Sequence, residues 1–261
     1  MPFKGKVVAV TGAAGGIGQS LCRLFLDEGA KIAAVDKKAS LEGLAAELNA
    51  EPGNFAHAVA DVSDPAQVAR AFTSLAGALG PVDVLVNNAG GSDHSTFART
   101  DPAGWRSEIE RNVNSAYYCA HAVIPGMLAK RAGAIVGIGS VNGLSALGDP
   151  AYSAGKAAMI SLTRSLAQEY GRHGIRANIV LPGTVRTPLW ERRAASDPKI
   201  LDVLRRWYPL GRIVEPIDVA RAVAFLASDA ASAITGVALP VDCGLTSGNL
   251  VMTRELTLEA Y

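Results

Sequence analysis

The chain has 261 residues, of which 49% are hydrophobic and 19% charged, a balance that suits a packed globular protein and excludes a disordered one. Its formal net charge is +1, so no general attraction to nucleic acid or to an anionic membrane is expected. No apolar run of about 18 residues occurs, so no membrane span is predicted, and Met1 to Lys6 lack the apolar stretch of a secretion signal. Cys22, Cys119 and Cys243 are widely spaced and form no CxxC pair or metal-ligand pattern. They predict reduced, buried thiols in a cytoplasmic protein, and no metal site.

In chain order, short apolar runs bounded by Gly, Pro, Asp or Asn predict buried strands at 6–10, 31–35, 55–60, 82–86, 134–138, 176–181 and 237–241. Helical stretches lie between them, at 16–28, 41–48, 65–79, 102–130, 151–172 and 216–228. Asp64-Pro65, Asp101-Pro102 and Asp149-Pro150 mark helix starts, with Asp capping free N–H groups and Pro preset for the first turn. Strand–helix alternation implies right-handed crossovers and a doubly wound parallel α/β sheet with helices on both faces. One domain is expected over 1–261. Such sheets bind ligands beyond the carboxyl ends of their strands. The stretch 184–215, rich in Arg and Trp, breaks the alternation and predicts a lid over the site. The tail after Gly244 has no strand pattern and is expected to dock on a neighbouring subunit.

The turn after the first strand reads Thr11-Gly12-Ala13-Ala14-Gly15-Gly16-Ile17-Gly18. Glycines there let the backbone approach a diphosphate, and the helix that follows presents N–H groups and partial positive charge to it. Asp36 closes the second strand, where an acid suits ribose hydroxyls and repels a 2′-phosphate. This favours NAD over NADP; Lys37 and Lys38, which can meet a phosphate, argue the other way. Asp61-Val62, after the third strand, is placed to contact adenine. Asn87-Asn88-Ala89-Gly90, after the fourth, combines small residues that admit a cofactor with amides that tie strand ends together.

Tyr152 and Lys156 are four apart and share one helix face. A nearby ammonium, and a positive nicotinamide ring, favour phenolate and make the tyrosine a competent acid/base. Ser140 ends the fifth strand, and its hydroxyl can bond a substrate oxygen. Asn112, in the preceding helix, can hold a water that links Lys156 to solvent. Together with Thr11-Gly12-x-x-x-Gly16-x-Gly18, Asp61, Asn87 to Gly90 and Pro182-Gly183, these residues stand in the order found in short-chain dehydrogenases/reductases. The chain resembles the compact single-domain members of that family over residues 6–244.

The resemblance implies a Rossmann fold with seven strands and an Asn112-Ser140-Tyr152-Lys156 tetrad. It also implies Lys156 on the nicotinamide ribose, and Pro182, Gly183, Val185 and Thr187 along the cofactor. The implied reaction is hydride transfer between a carbinol carbon and the nicotinamide, with Tyr152 moving the proton and Ser140 helping to polarise the oxygen. Related proteins are usually homotetramers paired through long helices, here 102–130 and 151–172. By the same analogy Gly91, Ser92, Asp93, His94, Asn142, Leu147 and the segment 184–208 face the substrate. Asp93, His94 and Asn142 suit a substrate with several hydroxyls, Arg192 and Arg193 a carboxylate, and Trp190, Trp207 and Tyr208 a ring. The expected substrate is a polar secondary alcohol or its ketone, such as a sugar, polyol or hydroxy acid. The rival readings are an NAD-binding scaffold without turnover, a lyase or epimerase, and an NADPH-dependent ketoacyl-type or cyclic-ketone reductase.

Overall fold

The computed structural model describes residues 1–93 and 96–259. Its strands are β1 (Val7–Thr11), β2 (Lys31–Asp36), β3 (Phe55–Val59), β4 (Val84–Asn87), β5 (Gly133–Ile138), β6 (Ile175–Pro182) and β7 (Ala238–Val241). They form one sheet in the order β3-β2-β1-β4-β5-β6-β7. Every neighbouring pair is parallel. All seven predicted strands are present. Several run further than their apolar runs, because the ladder continues onto Thr11, Asp36, Asn87 and Pro182. Of those end residues, Asp36 lines the crevice.

The sheet is covered on both faces, as a parallel sheet must be. On one face Val8 and Val10 of β1 share a core with Leu21 and Phe25 of α1 (Gly16–Asp27) and Val219 and Val223 of α9 (Pro216–Ala227). On the other, Val7 and Ala9 share a core with Phe72 and Leu75 of α3 (Pro65–Leu79) and Val123 and Met127 of α5 (Ser115–Lys130). Each fully buried Val, Leu or Phe contributes about 1.5–3 kcal/mol. The sheet is thereby a stiff platform for the loops at its carboxyl edge.

Three predicted helices differ in their details. The 41–48 stretch is a 3-10 turn, Ala39–Gly43, followed by the single turn α2 (Leu44–Glu47). The 102–130 stretch is two helices, α4 (Pro102–Ile109) and α5, joined by a π-helical turn over Glu110–Asn114. The cause is Asn112: its side-chain amide donates to the Glu108 carbonyl at 2.8 Å, the oxygen that the Asn112 backbone N–H takes in a regular helix. Asp64 and Asp101 cap α3 and α4 as predicted. Asp149 does not cap α6 (Pro150–Tyr170). It sits in the left-handed region with φ 47°, and its carboxylate accepts from the Ser92 hydroxyl instead.

The 184–215 segment carries α7 (Pro188–Ser196) and α8 (Ile200–Arg205), neither of which buries a residue, above a Val185–Val214 bridge. The tail forms a 3-10 turn, Leu245–Ser247, and α10 (Leu250–Thr257). Cys22 and Cys119 are buried thiols that burial pushes up to about 12, and Cys243 is also unpaired. Among the described residues no helix is long and apolar enough to cross a membrane, and no cluster of His, Cys, Asp and Glu has the makings of a metal site.

Candidate active site

The strand order reverses beside β1, between β2 and β4, and the loops leaving β1 and β4 part there. That geometry opens a crevice at the carboxyl edge. A cavity of about 440 Å³ fills it, within the ~300–1,000 Å³ usual for cofactor sites. Gly12, Gly16, Ile17 and Gly18 form its floor, with Asp36, Asp61 and Val62 at one end and Asn88, Ala89 and Gly90 at the other. Thr187 reaches it from the base of the 184–215 segment.

The floor is set by close approaches. Gly12 has φ +64°, which favours glycine, and a Cβ there would lie 3.0 Å from both the Ala89 Cα and the Asn88 Nδ2. A Cβ on Gly18 would lie 2.2 Å from the Gly12 carbonyl oxygen, so only glycine lets α1 start this near the turn. The side-chain amide of Asn88 donates to the Thr11 and Gly12 carbonyls at 2.9 and 3.1 Å. The buried Thr11 hydroxyl accepts from the Asn88 and Ala89 N–H groups. The amide ties read from the sequence are present, and they fix β4 to the glycine turn.

Asp36 is buried, and its two carboxylate oxygens accept from the Ala14 and Lys38 N–H groups at 3.0 Å each. It therefore holds the glycine turn while bordering the cavity. Asp61 accepts from the Ser63 hydroxyl and N–H. The hydroxyl bond is the main cause that holds its carboxyl below the usual range. Lys37, Lys38, Arg111 and Arg192 also border the cavity, giving it cations of the kind a diphosphate needs.

Past Gly90 the tetrad residues converge. A Cβ on Gly90 would lie 2.7 Å from the Asn112 Oδ1 and 3.1 Å from the Lys156 Nζ, so this glycine is the gap through which the cavity meets them. Asn112 is fully buried, donates to the Gly91 carbonyl at 2.9 Å and accepts from the Gly91 N–H at 3.1 Å. Lys156 is 3% exposed and donates to the Ile138 carbonyl at 2.7 Å. Burial pushes its ammonium down to about 7. Its Nζ stands 5.5 Å from the centre of the Tyr152 ring.

Burial also pushes the Tyr152 phenol up; a hydrogen bond with Ser140 opposes this, while the charges of Asp149 and Glu108 add to it. The expected lowering by Lys156 is thus not produced by the protein alone. A buried lysine that holds its own proton so weakly is a poor source of positive charge, and two carboxylates oppose it.

Several predicted residues lie elsewhere. Pro182 ends β6, Val185 is buried in the bridge to Val214, and Gly183 packs against Tyr208 and Asp242. The Asp93 carboxylate pairs with Arg111 at 2.5 Å while its side chain stays more than half exposed. Asn142 is tied into its own loop by contacts with Ser140, Gly148 and Ser153. Trp190 lies under the Arg193 guanidinium at 4.7 Å and does not line the cavity. His94 falls outside the described residues. Sequence reading missed Arg111, whose only signal was its place beside Asn112, and the cavity-lining role of Arg192, which read as solvated surface.

The crevice fits a dinucleotide: glycines clear its floor, a helix N-terminus faces it, and an acid stands at the far end. Fold and site define a dinucleotide-binding α/β oxidoreductase. The chain belongs to the short-chain dehydrogenase/reductase family, and a family model described as enoyl-(acyl carrier protein) reductase matches residues 12–246. An uncharacterised oxidoreductase of Schizosaccharomyces pombe is 41% identical over 99% of this chain and 98% of its own. Galactitol 2-dehydrogenase (L-tagatose-forming) of Cereibacter sphaeroides is 39% identical over 93% of this chain and 95% of its own. The crystal structure of a short-chain oxidoreductase from Burkholderia thailandensis has a TM-score of 0.92 and 48% identity, covering 98% of both chains.

Proposed function

We propose that the chain transfers hydride between NAD(H) and a secondary alcohol or its ketone, with a small polar substrate such as a sugar, polyol or hydroxy acid. The observation that carries this reading is the meeting of Asn112, Lys156, Ser140 and Tyr152 at the inner end of the dinucleotide crevice. The cofactor, when bound, accepts or gives the hydride. Gly12, Gly16, Ile17 and Gly18 would hold its diphosphate, Asp36 its adenosine ribose and Lys156 its other ribose.

Tyr152 takes the hydroxyl proton in oxidation and returns it to the developing alkoxide in reduction. Ser140 steadies that oxygen from the side. A phenol held up by burial suits proton donation at neutral pH. Oxidation requires the phenolate, so its rate should rise with pH.

The 184–215 segment acts as a lid on a single domain, for α7 and α8 bury no residue while the chain on either side of them is held at Val185, Tyr208 and Val214. A preference for NAD is supported by the Asp36 carboxylate at the cavity edge, a negative charge that would repel a 2′-phosphate. The polyol activity for which the Cereibacter relative is named supports a hydroxylated substrate. A cytoplasmic homotetramer is the expected form, since the thiols are unpaired and Tyr117 of α5 presents its ring to solvent.

A second reading, an NADPH-dependent ketoacyl-type reductase, draws on Lys37 and Lys38 beside the cavity and on the 36% identity to a 3-oxoacyl-[acyl-carrier-protein] reductase of Thermotoga maritima. The deciding experiment follows NADH and NADPH absorbance with a panel of sugars, polyols, hydroxy acids, cyclic alcohols and ketoacyl thioesters. Turnover of a polar alcohol with NAD is expected. Preference for NADPH overturns the argument from Asp36, and absence of turnover across the panel overturns the reading.

A further inference from the structure

Glu108, on α4, is 1% exposed, a burial that a carboxylate tolerates only with partners. Its Oε1 accepts from the Asp93 N–H at 2.9 Å and lies 3.2 Å from the Ser92 hydroxyl oxygen. The same hydroxyl lies 3.0 Å from an Asp149 oxygen, at the foot of the helix that carries Tyr152 and Lys156. The backbone carbonyl of Glu108 accepts from the Asn112 amide at 2.8 Å. A single residue therefore touches the turn after Gly90, the π-helical turn and, through Ser92, the start of α6.

We propose that Glu108 is a positioning residue for the reaction: its carboxylate fixes the Gly91 to Asp93 turn, whose Gly91 is bonded on both sides to Asn112 of the tetrad. Among the described residues, Lys156 stands 5.5 Å from the centre of the Tyr152 ring, Ser140 shares a hydrogen bond with its hydroxyl, and the charges of Asp149 and Glu108 act on it from further off. Glu108 is faced in turn by Arg111, which the Asp93 carboxylate already occupies. A fixed negative charge near a phenol favours its neutral form, and the charges of Glu108 and Asp149 both push Tyr152 upward. The inference rests on the role proposed for Tyr152, but half of its test does not require turnover.

In the free protein, tyrosinate absorbance is titrated in wild type and Glu108→Gln, each with Tyr152→Phe as its blank. Removing the charge while keeping an acceptor is expected to shift the Tyr152 midpoint downward. The rising limb of kcat/KM against pH in alcohol oxidation should move down with it. Ser92→Ala, at an exposed position, cuts the link to the turn without removing a charge. It is expected to raise KM for the alcohol several-fold while leaving the tyrosinate midpoint and the affinity for NADH unchanged. An unmoved midpoint in Glu108→Gln overturns the part played by its charge. An unchanged KM in Ser92→Ala overturns the positioning role, and does so even if Glu108→Gln fails to fold. If wild type turns over no alcohol, the proposed function falls, while the titration still decides for or against the charge of Glu108.

Discussion

The two banks of the crevice are built on different principles. The β1–β4 bank is made of backbone: glycine approaches, strand ends and N–H groups held by Thr11, Asp36 and Asn88. The lid bank is made of exposed side chains on α7 and α8, short helices without a buried residue. It is anchored where a Cβ on Gly16 would run into Pro188 at 2.9 Å. The first bank admits one kind of ligand because its shape is fixed before binding. The second can change its side chains at little structural cost, which is how one fold serves many substrates.

If the comparison is right, substitutions on the rigid bank and in the tetrad should be severe, and those on the lid mild. The largest effect is expected for Tyr152→Phe, which removes only the proton-carrying oxygen. A loss of about 10²- to 10⁴-fold in kcat/KM should come with unchanged NADH affinity, measured by fluorescence titration. Undiminished turnover would sink the mechanism. Next comes Gly18→Ala. Its Cβ would press on the Gly12 carbonyl at 2.2 Å and on the Ala13 Cα at 2.7 Å, and overpacking of this kind costs about 1–3 kcal/mol. A lower urea midpoint and NADH binding weakened by more than about tenfold are expected. If the variant binds NADH like wild type, the floor is less rigid than the contacts imply.

This division also explains what could be read from the chain alone. The strands, the glycine turn and Asp36 were legible because backbone rules act over a few neighbouring residues: buried apolar runs, a turn that only glycine permits, an acid at a strand end. The tetrad was legible as a family pattern, since Tyr152 with Lys156 one turn on means little by itself. The π-helical turn was not legible, because it depends on the Asn112 side chain winning a carbonyl from its own backbone. Nor was the fate of Asp93 and Asn142, both read as substrate contacts. Their partners, Arg111 and Ser153, lie 18 and 11 residues away and meet them only once α4 and α6 have packed beside the sheet. Asp149 shows the same limit: its place before proline predicted a cap, and Ser92, 57 residues away, takes its carboxylate instead.

A smaller effect should follow from Asp36→Asn, which removes the charge and keeps an acceptor for the Ala14 N–H. The ratio of kcat/KM for NAD to that for NADP is expected to fall about tenfold, the equivalent of ~1.4 kcal/mol of lost repulsion toward a 2′-phosphate. Kinetics with both cofactors measure it directly. A ratio that does not move would assign the choice of cofactor to Lys37 and Lys38 instead.

The mildest expected change tests the lid bank where it touches the cofactor cavity. Arg192 is exposed on α7 and borders the cavity, so any attraction it offers a diphosphate is exerted through water. Exposed charge pairs contribute little and are screened by salt. Arg192→Ala should therefore raise KM for NAD only about two- to fivefold at low ionic strength, with kcat unchanged. The difference should shrink toward nothing as salt approaches 1 M, where screening acts over only about 3 Å. A loss as large as that of Gly18→Ala, or one that salt does not diminish, would mean that the lid closes on the cofactor and buries this guanidinium. The two banks would then form one rigid site, and the contrast between them would hold only while the lid is open.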